Sequence, residues 1–242
     1  MPAERLSRWL AHQGLTSRRG AERLMREGRV LVNQQPAPAE GRMIDPEADV
    51  IEVDGRRVEP RGPGHRYLAV NKPIGVVSTV RDPEGRPTVL ELAADAKGLY
   101  PVGRLDRDSR GLLLLTDDGE LALRLTHPRY GAPKTYRVTL AGQLSAAQLQ
   151  LLRRGPVLED GPSRPLRVRV LHQVGERVEL LITLSEGRRR EVRRMVEAVG
   201  SRVVDLERTE FAGIRLGTLP EGAVRDLSGA EVSRLRSAVG LD

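Results

Sequence analysis

The sequence predicts an α+β protein, with a small α/β module followed by a larger domain built on a mainly antiparallel mixed sheet. Three observations carry this. Within residues 67–242, strand-like runs outnumber helical patterns and often follow one another directly, which argues against a doubly wound parallel sheet. Residues 1–60 read as helix, turn, helix and then short strands. Between the two, residues 60–66 read PRGPGHR, a composition typical of linkers. The expected division is therefore a first domain over 1–60, a linker over 61–66 and a second domain over 67–242.

In the first domain, Leu6, Trp9 and Leu10 recur at helical spacing, and Gly14 falls where a helix end would place a glycine. Thr16 or Ser17 can cap a second helix whose inner face carries Ala21, Leu24 and Met25, and Gly28 closes it. Val30-Leu31-Val32 reads as a strand. VIEV at 50–53 reads as another, ending in the hairpin signal Asp54-Gly55. In the second domain, strands are expected in YLAVNKP, GVVSTV, LYPVGRL, GLLLLT, KTYRVTL, LRVRVL and RVELLITL. Helices are expected at 119–126, 145–154, 188–199 and 229–238.

With 242 residues, 39% hydrophobic and 30% charged, the chain is long enough for a real core, which leucine and valine must build because aromatics are only 2%. The net charge is +7. Of the 40 basic residues only Lys72, Lys97 and Lys134 are lysines. So basic and arginine-rich a chain points to a polyanionic partner, most simply nucleic acid. Residues 5–29 carry net +5 and residues 30–60 net −4, so the helical pair is the basic face. With no cysteine, the chain forms no disulfide and no thiolate site. Phosphate-loop, dinucleotide and nucleophile-elbow motifs are missing, and His12, His65, His127 and His172 show no metal-ligand spacing. Asp106 to Asp117 matches a calcium loop poorly, since Arg110 and a run of leucines stand where ligands are needed. No signal peptide or run of about 18 apolar residues is seen, so a cytoplasmic protein with no membrane partner is expected.

Residues 4–58, through RLSRWLA, TSRRGAERL and GRVLVN, resemble the small S-four-type (alpha-L) RNA-binding module of ribosomal proteins. The resemblance implies RNA contacts by Arg5, Arg8, Arg18, Arg19, Arg23 and Arg26. A DNA-reading helix-turn-helix is disfavoured because the second helix leads straight into a strand. Further on, four motifs occur in order: NKPIGVVST at 71–79, GRLDRDSRGLLLLTDDGEL at 103–121, KTYRV at 134–138 and LSEGRRREVRRM at 184–195. Together they resemble RNA pseudouridine synthases of the family named after enzyme A of the small ribosomal particle. Ser109 and Asp118 are mild departures, where Thr and Asn are more usual. Residues 82–89, 155–163 and EGRRREVRRMVEAVG look most like the B-type members of that family, which act on the large ribosomal particle.

The resemblance implies isomerisation of a uridine to pseudouridine in large-subunit (23S) ribosomal RNA, near the peptidyl-transferase region. The implied partner is free rRNA or an assembling large ribosomal particle. The resemblance assigns Asp106 as the catalytic carboxylate, Tyr136 as the residue packing on the base, and Arg193 as the cation pairing with Asp106. Lys72 and Arg104 are further expected to touch the RNA backbone or brace the site, and Arg188 to contact RNA phosphate or lie on a solvated helix face. A carboxylate attacks only when ionised, and arginine suits the pairing because it stays charged and can grip both oxygens. No metal or organic cofactor is implied, and the protein is expected to act as a monomer. The alternatives are a small-subunit (16S) rRNA target and, in another class, a non-catalytic RNA-binding assembly factor.

Overall fold

The computed structural model describes residues 3–38, 40–60, 64–175 and 177–241. The expected linker falls partly outside them, at 61–63. Two compact units are present, Met1–His65 with Asp95–Leu99, and Arg66–Ala94 with Tyr100–Asp242. The segment Asp95–Leu99 thus groups with the first unit, although it lies inside the stretch expected to form the second domain.

In the first unit, strand β1 (Glu4–Arg5) runs into helix α1 (Leu6–His12), and α2 (Arg18–Arg26) follows. The Ser17 hydroxyl accepts from the Gly20 amide at 3.1 Å and caps α2. Then come β2 (Val30–Val32), β3 (Gln35–Pro36), β4 (Met43–Ile44), β5 (Ile51–Val53) and β6 (Arg56–Arg57). Strands β3-β2-β5-β6 form one antiparallel sheet, and β1 pairs with β4. Asp54 and Gly55 both have positive φ, as a tight hairpin of this kind requires. Leu6, Trp9, Leu10, Ala21 and Met25 pack with Val30, Val32 and Ile51 into one core, leaving the arginines of both helices outside. The rings of His12 and His65, scattered in sequence, lie 5.1 Å apart.

The second unit holds β7 (Tyr67–Lys72), β8 (Tyr100–Pro101), β9 (Arg110–Thr116), α3 (Gly119–Thr126), β10 (Lys134–Ala141) and α4 (Ala146–Arg154). A small hairpin of β11 (Val157–Leu158) and β12 (Gly161–Pro162) comes next. Then follow β13 (Pro165–Val174), β14 (Arg177–Leu184), α5 (Glu191–Ala198), β15 (Arg202–Phe211), β16 (Ile214–Arg215), β17 (Val224–Asp226) and α6 (Gly229–Ser237). A nine-stranded sheet runs β13-β14-β10-β15-β9-β7-β17, with β16 and β8 pairing at β15 and β9. Every pairing within it is antiparallel except β9 with β15. All four leucines of β9 are buried, with Leu112 and Leu114 in a core shared with Leu121 and Leu125 of α3 and Leu235 of α6.

Two expectations are corrected here, and one strand goes unforeseen. GVVSTV is no strand but a loop with one bridge, Val77 to Thr88. Of LYPVGRL, only Tyr100–Pro101 is strand. The long central strand β15 has no clear sequence signal, because Asp205, Glu207, Arg208 and Glu210 break any apolar alternation.

Candidate active site

The parallel pairing in the sheet shapes the site. Glu207 pairs with Arg110 and Arg208 with Gly111, so β9 and the loop before it are drawn onto β15. The approach requires glycine at 111. Its φ is +102°, and an added Cβ would lie 2.5 Å from the Arg208 carbonyl oxygen. Arg110 reinforces the junction by bonding both Asp205 and Glu207.

The loop 103–109 is fixed from below by the 71–79 segment. Ser78 Oγ donates to the Leu105 carbonyl at 2.9 Å and accepts from the Leu105 amide at 3.1 Å. The Gly75 amide donates to the Arg107 carbonyl at 2.8 Å. Lys72 is fully buried and donates to the carbonyls of Pro73 and Val76, each at 2.8 Å. Burial pulls its ammonium down to about 8, against the opposing pull of Asp108 and Asp106. Lys72 therefore braces this shelf, one of the two roles expected of it.

Above the shelf opens a cleft of about 280 Å³. Asp106, Tyr136 and Arg104 all line it. Asp106 is partly exposed, and Arg104 is exposed at the cleft wall. Tyr136 is 9% exposed. On β10, Lys134 and Tyr136 point to one face, as residues two apart must. Across the ladder to β15, Tyr136 sits opposite Arg208 and Lys134 opposite Phe211.

The expected pairing of Arg193 with Asp106 is not made. Arg193 Nη2 instead donates to the Asp108 carbonyl at 2.8 Å and lies 3.3 Å from the Asp108 carboxylate. Nor does Arg193 line the cleft. The cation nearest Asp106 is Arg190, whose Nη1 is 4.0 Å from Asp106 Oδ2 and 3.2 Å from Asp108 Oδ2. Arg190 caps α5 with φ +50°, an uncommon conformation for a non-glycine residue and one often found at functional sites. Arg193 thus clamps the backbone beside Asp106, while Arg190 supplies the facing charge. Charge alone does not separate the two in sequence, because they sit one helical turn apart among neighbouring arginines.

Arg188 also lines the cleft. Its side chain is 18% exposed and binds Asp160 at 2.9 Å, Glu191 at 3.2 Å and the carbonyls of Gly161 and Pro162. It ties the β11–β12 hairpin to the start of α5. Glu191 beneath it is 3% exposed, and burial raises its carboxyl above the usual range. Arg5, Arg8, Arg18, Arg19, Arg23 and Arg26 are all exposed on the first unit, in keeping with a surface role. Among the described residues, no helix is long and apolar enough to cross a membrane.

Comparison with known proteins gives these side chains a context. Residues 66–198 match the RNA pseudouridylate synthase family, and residues 4–50 match the S4 domain. The chain belongs to the RNA pseudouridine synthase family. It is 41% identical over 237 residues to ribosomal large subunit pseudouridine synthase B of Bacillus subtilis, covering 97% of this chain and 96% of that one. The protein of the same name from Shigella flexneri is 40% identical over 245 residues, covering 99% and 84%. A solved structure described as a pseudouridylate synthase superposes with a TM-score of 0.67 at 31% identity, covering 96% of this synthase and 99% of its own chain. The synthase is thus an S4-domain enzyme close to the B-type synthases.

Proposed function

We propose that this synthase isomerises a uridine of large-subunit ribosomal RNA to pseudouridine, with Asp106 as the attacking carboxylate. We place it within the grouping named after enzyme A of the small ribosomal particle. The observation that carries the reading is the shared cleft, where Asp106 and Tyr136 face one space walled by Arg104, Arg189 and Arg190. The names of the relatives from Bacillus subtilis and Shigella flexneri support large-subunit RNA as the substrate. Acting on such a substrate, the protein works in the cytoplasm, as a monomer.

A stacked uridine cannot bring its glycosidic bond to Asp106, so the nucleotide is extruded into the cleft, at a cost of a few kcal/mol. The arginines on the cleft rim and on α1 and α2 offset that cost through phosphate contacts. Asp106 then attacks, the bond from ribose to N1 breaks, the uracil turns, and C5 rejoins the ribose. Tyr136 packs on the ring and helps remove the C5 proton. Arg190 faces the carboxylate in the resting enzyme, and Arg193 and Ser78 fix the loop that carries it.

Incubation of the purified protein with 23S and 16S transcripts, followed by pseudouridine mapping, tests the reading. The expected result is one modified site in the 23S transcript and none with Asp106→Asn, which should still bind RNA. Modification of the 16S transcript alone would overturn the target, and full activity of Asp106→Asn would overturn the mechanism.

A further inference from the structure

The cleft holds two cations that the roles above leave unused. Lys134 is 9% exposed and Arg208 is 2% exposed, and both line the cleft beside Tyr136. Among the described residues neither forms an ion pair. Lys134 Nζ donates to the Ala132 carbonyl at 2.8 Å, and Arg208 Nε donates to the Leu112 carbonyl at 2.7 Å. Arg208 Nη2 is buried with no hydrogen-bond partner. The chain's one phenylalanine, Phe211, presents its ring to both, 5.3 Å from Lys134 Nζ and 4.8 Å from the Arg208 guanidinium carbon. A ring face, two carbonyls and the Tyr136 side chain beside Arg208 offset only part of the cost of burying two positive charges. Burial pulls the Lys134 ammonium down to about 8, and Arg208 lowers it further while Glu191 opposes. Such a pair, short of negative charge and set in a cleft, is arranged for charge that arrives with a ligand.

Resting on uridine isomerisation as the reaction, we propose that Lys134 and Arg208 stabilise the negative charge that the uracil ring takes up when Asp106 attacks. The charge ends on the ring by either route of attack. If the carboxylate oxygen bonds to C1′, the bond from C1′ to N1 breaks and its electron pair passes to N1, O2 and O4. If the oxygen bonds to C6, the electron pair of the C5–C6 double bond moves out to O4. In both cases one unit of negative charge leaves Asp106 and appears on uracil, with no oxidant or reductant consumed. When C5 bonds to C1′, the carboxylate is released with its charge restored. Loss of the C5 proton and gain of one at N1 complete an isomerisation in which atoms and charge balance. Buried, fixed cations suit this transfer because they need no reorganisation as the charge moves.

The test measures single-turnover conversion of an rRNA transcript at saturating enzyme, with uridine or 5-fluorouridine at the target. Fluorine withdraws electron density and stabilises a ring anion without help from the protein. Lys134→Met should slow loss of the ordinary uridine about a hundredfold, the scale of removing one preorganised donor. RNA affinity should stay unchanged, Lys134→Arg should restore most of the rate, and the loss on 5-fluorouridine should be at least about tenfold smaller. Equal losses on both substrates, failure of Lys134→Arg to rescue, or an unchanged rate would each overturn the proposal while leaving the wild-type reaction standing. A wild-type enzyme that converts no uridine would instead overturn the reading beneath it. Should Lys134→Met fail to fold, Arg208→Met is put through the same two-substrate comparison, with Arg208→Lys as the rescue variant and the same deciding outcomes.

Discussion

Among the described residues, the second unit buries positive charge and the first does not. On α1 and α2 the arginines are exposed, and the ion pairs Arg8–Glu4 and Arg23–Glu27 are loose, each at 3.8 Å and one helical turn apart. In the second unit Lys72, Lys134 and Arg208 are buried and held by main-chain carbonyls. Exposed charge is screened by salt and serves attraction at a distance. Buried charge is screened little and costs folding energy, so it persists where it braces a loop or meets a ligand. One basic composition therefore conceals two functions, and burial separates them.

The buried side of this contrast breaks most severely at Gly111. Gly111→Ala places a methyl group against the backbone of Arg208 and forces a φ that L residues rarely adopt. No flexible side chain can give way there. The expected loss is about 3 kcal/mol or more, read as a fall in urea midpoint with unchanged slope. A loss under about 0.5 kcal/mol, the scale of an ordinary surface change, would show that the β9–β15 junction is not tight.

Much of this architecture is legible in the sequence, for reasons specific to each element. Helix α3 falls where its apolar spacing puts it, and Ser17 caps α2 through its own hydroxyl. Strands β7, β10 and β14 show themselves through apolar or alternating residues. Strand β15 does not, because Glu207 and Arg208 are buried charges whose partners and surroundings come from distant strands. Resemblance alone points to Asp106 and Tyr136, and the cleft brings them together. The distinction between Arg190 and Arg193 is out of reach, since it depends on how α5 turns against the 106–109 loop. That Lys72 is fully buried and Arg188 largely so is likewise out of reach, because charge says nothing of burial.

A smaller effect sharpens the contrast through pH. Lys72 and Lys134 each titrate near 8 in the folded protein, against an ordinary value of 10.5. Below pH 8 both states carry the proton and the cost of burial is fully present. Between pH 8 and 10 the unfolded chain holds more protons than the folded one, so stability rises with pH. The full shift at either lysine corresponds to about 3 kcal/mol, part of which develops below pH 10. Urea unfolding from pH 7 to 10 should show the rise, and Lys72→Met should remove about half of it. A flat or falling profile would mean that these ammonium groups are better compensated than their surroundings indicate.

The exposed side predicts the smallest effect per residue, and a different kind of effect. Neutralising Arg18, Arg19, Arg23 and Arg26 by glutamine leaves the core of the first unit untouched, since that core is built from the opposite helix faces. Substitution is cleaner than deletion of residues 1–60, because Asp95–Leu99 clusters with this unit and would be stripped of its neighbours. Stability should change by no more than about 0.5 kcal/mol per site. RNA affinity should fall, and the dependence of log affinity on log salt should flatten by about 0.7 to 0.9 for each phosphate no longer neutralised. The single-turnover rate at saturating RNA should hold, because none of these side chains lines the cleft. Titration of the quadruple variant across a salt series checks all three. An unchanged slope would show that α1 and α2 carry their arginines as a solvated surface, and that RNA is gripped by the second unit alone.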